Sequence, residues 1–223
     1  MSRQISTLAE PPVSTVLDSL FAQAEASSPL TAIADLSPDE RARLMGSKTG
    51  YRDFYGRLKD MPLAVSRETG RLLYLLARGC RARTIVEFGT SFGLSTLHLA
   101  AALRDNGGGR LITCEFEPSK VVRAQANLTA AGLADLVEFR EGDALQMLSL
   151  DLPDTVDLLL LDGAKGLYPE ILSLVERRLR PGGLVVADNA NDSPDYLARV
   201  RAPTSGYLSV PFAEDVELSM RLG

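Results

Sequence analysis

Five short apolar runs in this chain each give way to a glycine, an acid or an amide. Thr84–Phe88 runs into Gly89, with Glu87 inside the run. Residues 111–114 run into Glu115, and 136–139 are followed by Gly142, Asp143 and Ala144. Val156–Leu161 runs into Asp162 with Lys165 three residues on, and 184–187 run into Asp188 and Asn189. An acid at one such boundary is commonplace, because turns and helix caps favour Asp. The same punctuation at all five is not. Acid, amide and lysine side chains suit proton handling, hydroxyl recognition and the binding of hard cations. The chain has one histidine, His98, and two cysteines, Cys80 and Cys114. That excludes histidine-rich zinc sites and disulfide frameworks, and any metal would be held mainly by oxygen.

The segment Gly89-Thr90-Ser91-Phe92-Gly93 reads in three ways. It matches the G-x-S-x-G of a hydrolase nucleophile elbow, but that mechanism needs an acid and then a histidine downstream. His98 lies seven residues after Ser91 with no acid between, so the hydrolase reading fails. A dinucleotide loop requires G-x-G-x-x-G, and Ser91 stands at the second glycine. No Walker lysine follows, which removes the triphosphate signature. A ligand with an adenosine but no phosphates fits better. Glu115, 28 residues after Glu87, is placed to accept both hydroxyls of a ribose, and Asp143 or the backbone at Ala144 to meet the adenine edge.

These residues have to be positioned by strands and helices, and the pattern supplies them. From residue 84 onward apolar strand-like runs alternate with helical ones: through 97–103, then Pro118 to Ala131 up to Gly132, then Tyr168 to Leu179 ending at Pro181-Gly182-Gly183. Alternation predicts an α/β, doubly wound, Rossmann-like sheet of seven strands, mostly parallel. Two runs joined by a few residues, 207–210 and Val216–Arg221, predict a closing antiparallel hairpin. In such sheets ligands bind at the carboxyl ends of the strands, where the punctuating residues lie. The first eighty residues read as helical, with capped starts at Ser37-Pro38-Asp39-Glu40 and at Ser66, after a loose arm over 1–13.

Val86-Glu87-Phe88-Gly89-Thr90-Ser91-Phe92-Gly93-Leu94-Ser95 resembles motif I of class I S-adenosylmethionine-dependent methyltransferases. Leu161-Asp162-Gly163-Ala164-Lys165, followed by Ala187-Asp188-Asn189, resembles the metal site of the cation-dependent catechol and caffeoyl-CoA O-methyltransferases. Met61-Pro62-Leu63-Ala64-Val65-Ser66 resembles the segment before their first core helix. The resemblance runs over roughly residues 45 to 223. It implies an S-adenosylmethionine-dependent O-methyltransferase acting on a small aromatic vicinal diol. Val65, Glu87, Gly89, Ser91, Gly93, Ser95, Glu115, Asp143, Ala144 and Asp162 would bind the cofactor. Asp162, Asp188 and Asn189 would hold one divalent cation, Mg²⁺ before Mn²⁺ or Ca²⁺. Lys165 would act as general base, its pKa lowered by the neighbouring metal charge. Two alternatives within the fold stand beside this: a metal-independent O- or N-methyltransferase, and a non-catalytic S-adenosylmethionine-binding module. Gly163 and Ala164 are small where catechol enzymes carry large side chains, and the chain has no tryptophan.

The resemblance divides the chain into a helical extension, residues 1–60, and a methyltransferase domain, 61–223. Tyr51, Phe54 and Tyr55 are at helical spacing, either as core or as a substrate cover. With 24 basic against 29 acidic residues the net charge is −5, which argues against a non-specific nucleic-acid partner. No apolar run approaches the ~20 residues of a membrane span. The first residues carry no charged-then-apolar leader, so a cytoplasmic location is expected. Family members commonly dimerise, which makes a homodimer an expectation of the resemblance.

Overall fold

The computed structural model describes residues 6–213 and 215–223. Seven strands form one sheet in the order β3-β2-β1-β4-β5-β7-β6. These are β1 (Thr84–Phe88), β2 (Arg110–Glu115), β3 (Val137–Glu141), β4 (Val156–Leu161), β5 (Leu179–Ala187), β6 (Tyr207–Phe212) and β7 (Val216–Arg221). The first five pair in parallel, and β7 runs antiparallel between β5 and β6. This is the predicted sheet with its closing hairpin. β4 is buried at all six positions, as a central parallel strand covered on both faces must be.

Helices cover both faces: α1 (Val13–Glu25), α2 (Pro29–Ala32), α3 (Pro38–Met45), α4 (Tyr51–Arg57), α5 (Arg67–Gly79), α6 (Leu94–Asp105), α7 (Pro118–Ala130), α8 (Ala144–Met147), α9 (Tyr168–Val175) and α10 (Pro194–Arg201). Local chemistry explains their starts. Ser37 and Glu40 form the predicted capping box of α3, and the Ser66 hydroxyl caps α5 through the Thr69 N–H. One face of the sheet packs with α1, α5 and α6 through Leu17, Phe21, Leu73, Ile85 and Leu97. The other packs around Val86, Phe88, Leu159, Leu161, Tyr168 and Tyr196.

Two expectations are corrected. The helix predicted to run to Leu179 stops at Val175, and β5 begins at Leu179. Pro181-Gly182-Gly183 therefore lies inside a strand, at a shift of register against β4, where a bulge tolerates both residue types. The loose arm over 1–13 is in its described part anchored. The Thr7 N–H donates to Asp105, the Ser6 hydroxyl donates to Tyr74 at 2.8 Å, and Val13 is buried. The periodicity of α2 and α4 is too short to be read before tertiary packing is known.

Candidate functional site

Register builds the site. Phe88 pairs with both Cys114 and Leu161, and Leu161 pairs with Ala187. The residues that follow, Gly89, Glu115, Asp162 and Asp188, therefore emerge side by side at the carboxyl edge of β1, β2, β4 and β5. Gly89 has φ +100, and a Cβ there would lie 2.5 Å from the Asp162 carbonyl oxygen. Only glycine permits both that backbone and that approach. Gly163 is small for a related reason: a Cβ would come within 2.5 Å of the Phe88 ring.

Two cavities open at this edge. The first, about 60 Å³, is lined by Gly89, Ser91, Glu115 and Ala144, with Asp162 at one end and Tyr51 and Tyr55 from α4 over it. The Glu115 carboxylate takes the Ser91 N–H at 2.9 Å on one oxygen and the N–H groups of Phe116 and Glu117, each at 3.0 Å, on the other. It is thereby held rigidly at the end of β2, with lone pairs left over. Ser91, itself at φ +47, accepts the Leu63 N–H at 3.1 Å. Asp143 caps α8 through the Leu145 N–H and pairs with Arg52 of α4 at 2.7 Å.

The second cavity, about 420 Å³, begins at Asp162, Lys165, Asp188 and Asn189 and runs out between the amino-terminal helices. The Lys165 Nζ donates to Asp162 at 3.2 Å and to the Tyr168 hydroxyl at 2.8 Å, and that hydroxyl donates to the Asp188 carbonyl. Asp162 and Asp188 are in hydrogen-bonding contact. Burial and then the Asp162 charge push Asp188 up to about 7. Burial disfavours the Lys165 ammonium, but Tyr168, Asp162, Tyr55 and Asp188 more than offset it and hold its pKa well above the ordinary value. The lowering expected for Lys165 would need a positive charge to offset those acids. Asn189 adopts φ 48, ψ 43, a left-handed conformation asparagine tolerates, and its amide nitrogen donates to Asp215 at 2.8 Å. Among the described residues no group donates to its amide oxygen.

Other predicted residues stand behind the cavities. Glu87 is fully buried and accepts hydroxyl hydrogen bonds from Ser95, Thr96 and Thr113 at 2.6–2.7 Å; burial pushes it up to about 7. Ser95 is spent on that contact. Gly93 faces Leu128 and Ala124 of α7, and Val65 is core. Two residues missed in the sequence line the first cavity, Phe116 and Lys120. Lys120 is 3% exposed and donates no hydrogen bond to any described residue; burial lowers its pKa. Its signal, a lysine in the first turn of the helix after Glu115, is indistinguishable in sequence from a solvated one.

Among the described residues no three His, Cys, Asp or Glu side chains group as metal ligands. The donor set is two carboxylates and an amide oxygen. It fits a hard cation: two carboxylates face the single charge of Lys165, and among the described residues nothing donates to the Asn189 oxygen.

The sheet order and the strand-end site define a Rossmann-like methyltransferase fold. A family model described as a methyltransferase domain matches residues 86–190. Catechol O-methyltransferase of Niastella koreensis is 40% identical over 130 residues, 57% of this chain and 58% of that one. The chain thus spans less than two thirds of that relative's length. Catechol O-methyltransferase of Sus scrofa is 32% identical over 64% of this chain and 80% of its own. The O-methyltransferase TomG of Streptomyces achromogenes, involved in tomaymycin synthesis and solved in complex with S-adenosylmethionine, superposes with a TM-score of 0.64. It is 30% identical over 90% of this chain and 99% of its own. The chain belongs to the catechol O-methyltransferase-like family of class I S-adenosylmethionine-dependent O-methyltransferases.

Proposed function

We propose that the protein transfers a methyl group from S-adenosylmethionine to a hydroxyl of a small aromatic vicinal diol, with a divalent cation held by Asp162, Asp188 and Asn189. One observation carries the reading. Asp162 lines both the narrow cleft that holds Glu115 and the larger cavity that holds Lys165 and Asp188. A donor in the first and an acceptor in the second would therefore meet at one carboxylate.

Glu115 accepts the ribose hydroxyls, and Ala144 with Asp143 borders the adenine. Gly89 and Ser91 keep backbone and hydroxyl close to the methionine end, and Glu87, Ser95, Gly93 and Val65 support that loop from behind. A hard dication at the acid pair favours the ionised form of a phenol, whose pKa near ~10 makes it a weak nucleophile at neutral pH. Lys165 has three N–H donors. Among the described residues Asp162 and Tyr168 take two, and the third position is left for the acceptor; in the neutral form, which a dication at the acid pair would favour, the lone pair there would accept the hydroxyl proton and Lys165 would become the ammonium. Aligning acceptor and donor across Asp162 supplies much of the rate. Residues 1–60 act as the acceptor cover and 61–223 as the catalytic domain.

The test is methyl transfer from labelled S-adenosylmethionine to a panel of catechols, with Mg²⁺ and with EDTA. Product that requires Mg²⁺, lost in Asp188→Ala and reduced about 10²-fold or more in Lys165→Met, is expected. Product that persists in EDTA removes the cation. Absence of S-adenosylmethionine binding by calorimetry removes the methyltransferase reading.

A further inference from the structure

The larger cavity is oversized for a catechol ring. A cavity of about 150 Å³ already accommodates benzene, and this one is about 420 Å³. Its composition is sharply divided. One end is Asp162, Lys165, Asp188 and Asn189. Every other lining residue comes from residues 24–64, and none is charged; Ile33, Met45, Phe54, Leu58 and Leu63 are among them, with Ala24 of α1 and Pro29. Ile33, Phe54 and Leu58 are buried in an apolar cluster of their own, apart from the two cores of the sheet. The polar side chain on that wall is Tyr55, which stands between the two cavities. A carboxylate, ammonium or phosphate seated against this wall would find no counter-charge among the described residues from 24 to 64 that line it.

We propose that the acceptor carries an uncharged apolar substituent that fills this chamber while its hydroxyls sit at Asp162, Lys165, Asp188 and Asn189. The inference rests on the acceptor site proposed above. The wall formed by Ile33, Met45, Phe54 and Leu58 sets the selection. An alkyl or aryl group para to a hydroxyl gains by leaving water, and a charged side chain gains no partner on that wall.

The experiment measures binding directly, by calorimetry on the protein loaded with Mg²⁺ and S-adenosylhomocysteine. The probes are catechol, 4-methyl- to 4-hexylcatechol, 4-(2-aminoethyl)catechol and 3,4-dihydroxybenzoate. Affinity is expected to rise up to about fourfold per methylene until the chamber is filled. The cationic and anionic catechols are expected to bind at least tenfold more weakly than 4-propylcatechol. In Ala24→Phe, which adds bulk to a lining residue outside the polar end, the rise is expected to stop at a shorter chain. Affinity flat along the alkyl series, or charged catechols bound as well as alkyl ones, overturns the proposal. The methyl-transfer assay on plain catechol separates the two levels. If it fails while the alkyl series rises, the chamber stands and the reaction is wrong; if it succeeds while the series is flat, the reverse holds.

Discussion

At the residue scale, two buried side chains make opposed demands on the folded state. His98 lies in the middle of α6, bonded through Nδ1 to the Leu94 carbonyl at 2.8 Å and packed against Phe21. Burial pushes its pKa down to about 4. Between the ordinary value of 6.5 and 4 the unfolded chain takes up a proton that the folded chain refuses. Stability therefore falls as pH drops through this window, by about 1.4 kcal/mol per unit at most and roughly 3 kcal/mol by pH 4. Glu87, pushed up to about 7, gives the opposite slope between 4.5 and 7. The comparison of parent with His98→Gln in urea unfolding from pH 7 to 4.5 cancels Glu87, and the variant is expected to lose the acid-side fall due to His98. Lys120 is the second case. Its side chain is largely buried beside the first cavity and its Nζ has no hydrogen-bond acceptor among the described residues, so burial costs stability that a ligand oxygen in the cavity would offset. Lys120→Met is expected to stabilise the unliganded protein by about 1–3 kcal/mol and to weaken S-adenosylhomocysteine binding roughly tenfold or more. Calorimetry and chemical unfolding measure the two, and equal signs would make Lys120 a structural residue.

At the element scale, α4 is the piece that joins the two cavities. Tyr51 and Tyr55 line the first cavity, Phe54 and Tyr55 the larger one, and Arg52 ties the helix to Asp143 at the start of α8. The cleft, at about 60 Å³, is smaller than the roughly 150 Å³ cavity that holds benzene, so α4 would have to yield for the proposed cofactor to enter it. Arg52 is half exposed, so its ion pair is worth about 1 kcal/mol at most. Arg52→Ala is expected to speed release of S-adenosylhomocysteine by up to about fivefold, read by stopped-flow displacement, and unchanged release would show that the pair does not latch the helix. The helix was hard to read in sequence because its aromatic residues serve two cavities rather than one core stripe. Its spacing is compatible with either role.

At the scale of the whole molecule, stability and function occupy opposite ends of the sheet. At the amino ends of the strands, Asp157 accepts the N–H groups of Arg83 and Thr84 at 2.7 and 2.9 Å and the Arg180 Nε at 2.7 Å. It joins the starts of β1, β4 and β5. Burial works against its charge, but Arg180 and the two N–H groups hold its carboxyl below the usual range. That contribution is complete above the unfolded value near ~4 and lost as pH falls through the lower folded one. Asp157→Ala leaves two N–H groups and a guanidinium without their acceptor, at about 2–4 kcal/mol. For a chain of this length that is roughly 5–15 °C in Tm. Scanning calorimetry is expected to show the fall and titration to show unchanged S-adenosylhomocysteine affinity; a loss of both would couple the two ends.

What the sequence by itself determined is what depends on short-range period. Strand and helix alternation dictated the sheet, and the residues after each strand dictated which side chains stand at its edge: Gly89, Ser91, Glu115, Ala144, Asp162, Lys165, Asp188 and Asn189, singled out in the sequence, all line the cavities. Tertiary structure decided the rest. Glu87 and Ser95 carry the right chemistry for a ligand, but alternation along β1 turns Glu87 to the face of α6, where three hydroxyls claim it. Contact between Asp162 and Asp188 depends on the β4–β5 register, and the charge on Lys165 on which acids that register gathers around it. The apolar chamber draws on residues from Ala24 to Ala64 in several short helices. Apart from α1, none of those helices has a period long enough to announce which face it buries, because their packing against one another, rather than their own repeat, sets the surface they share.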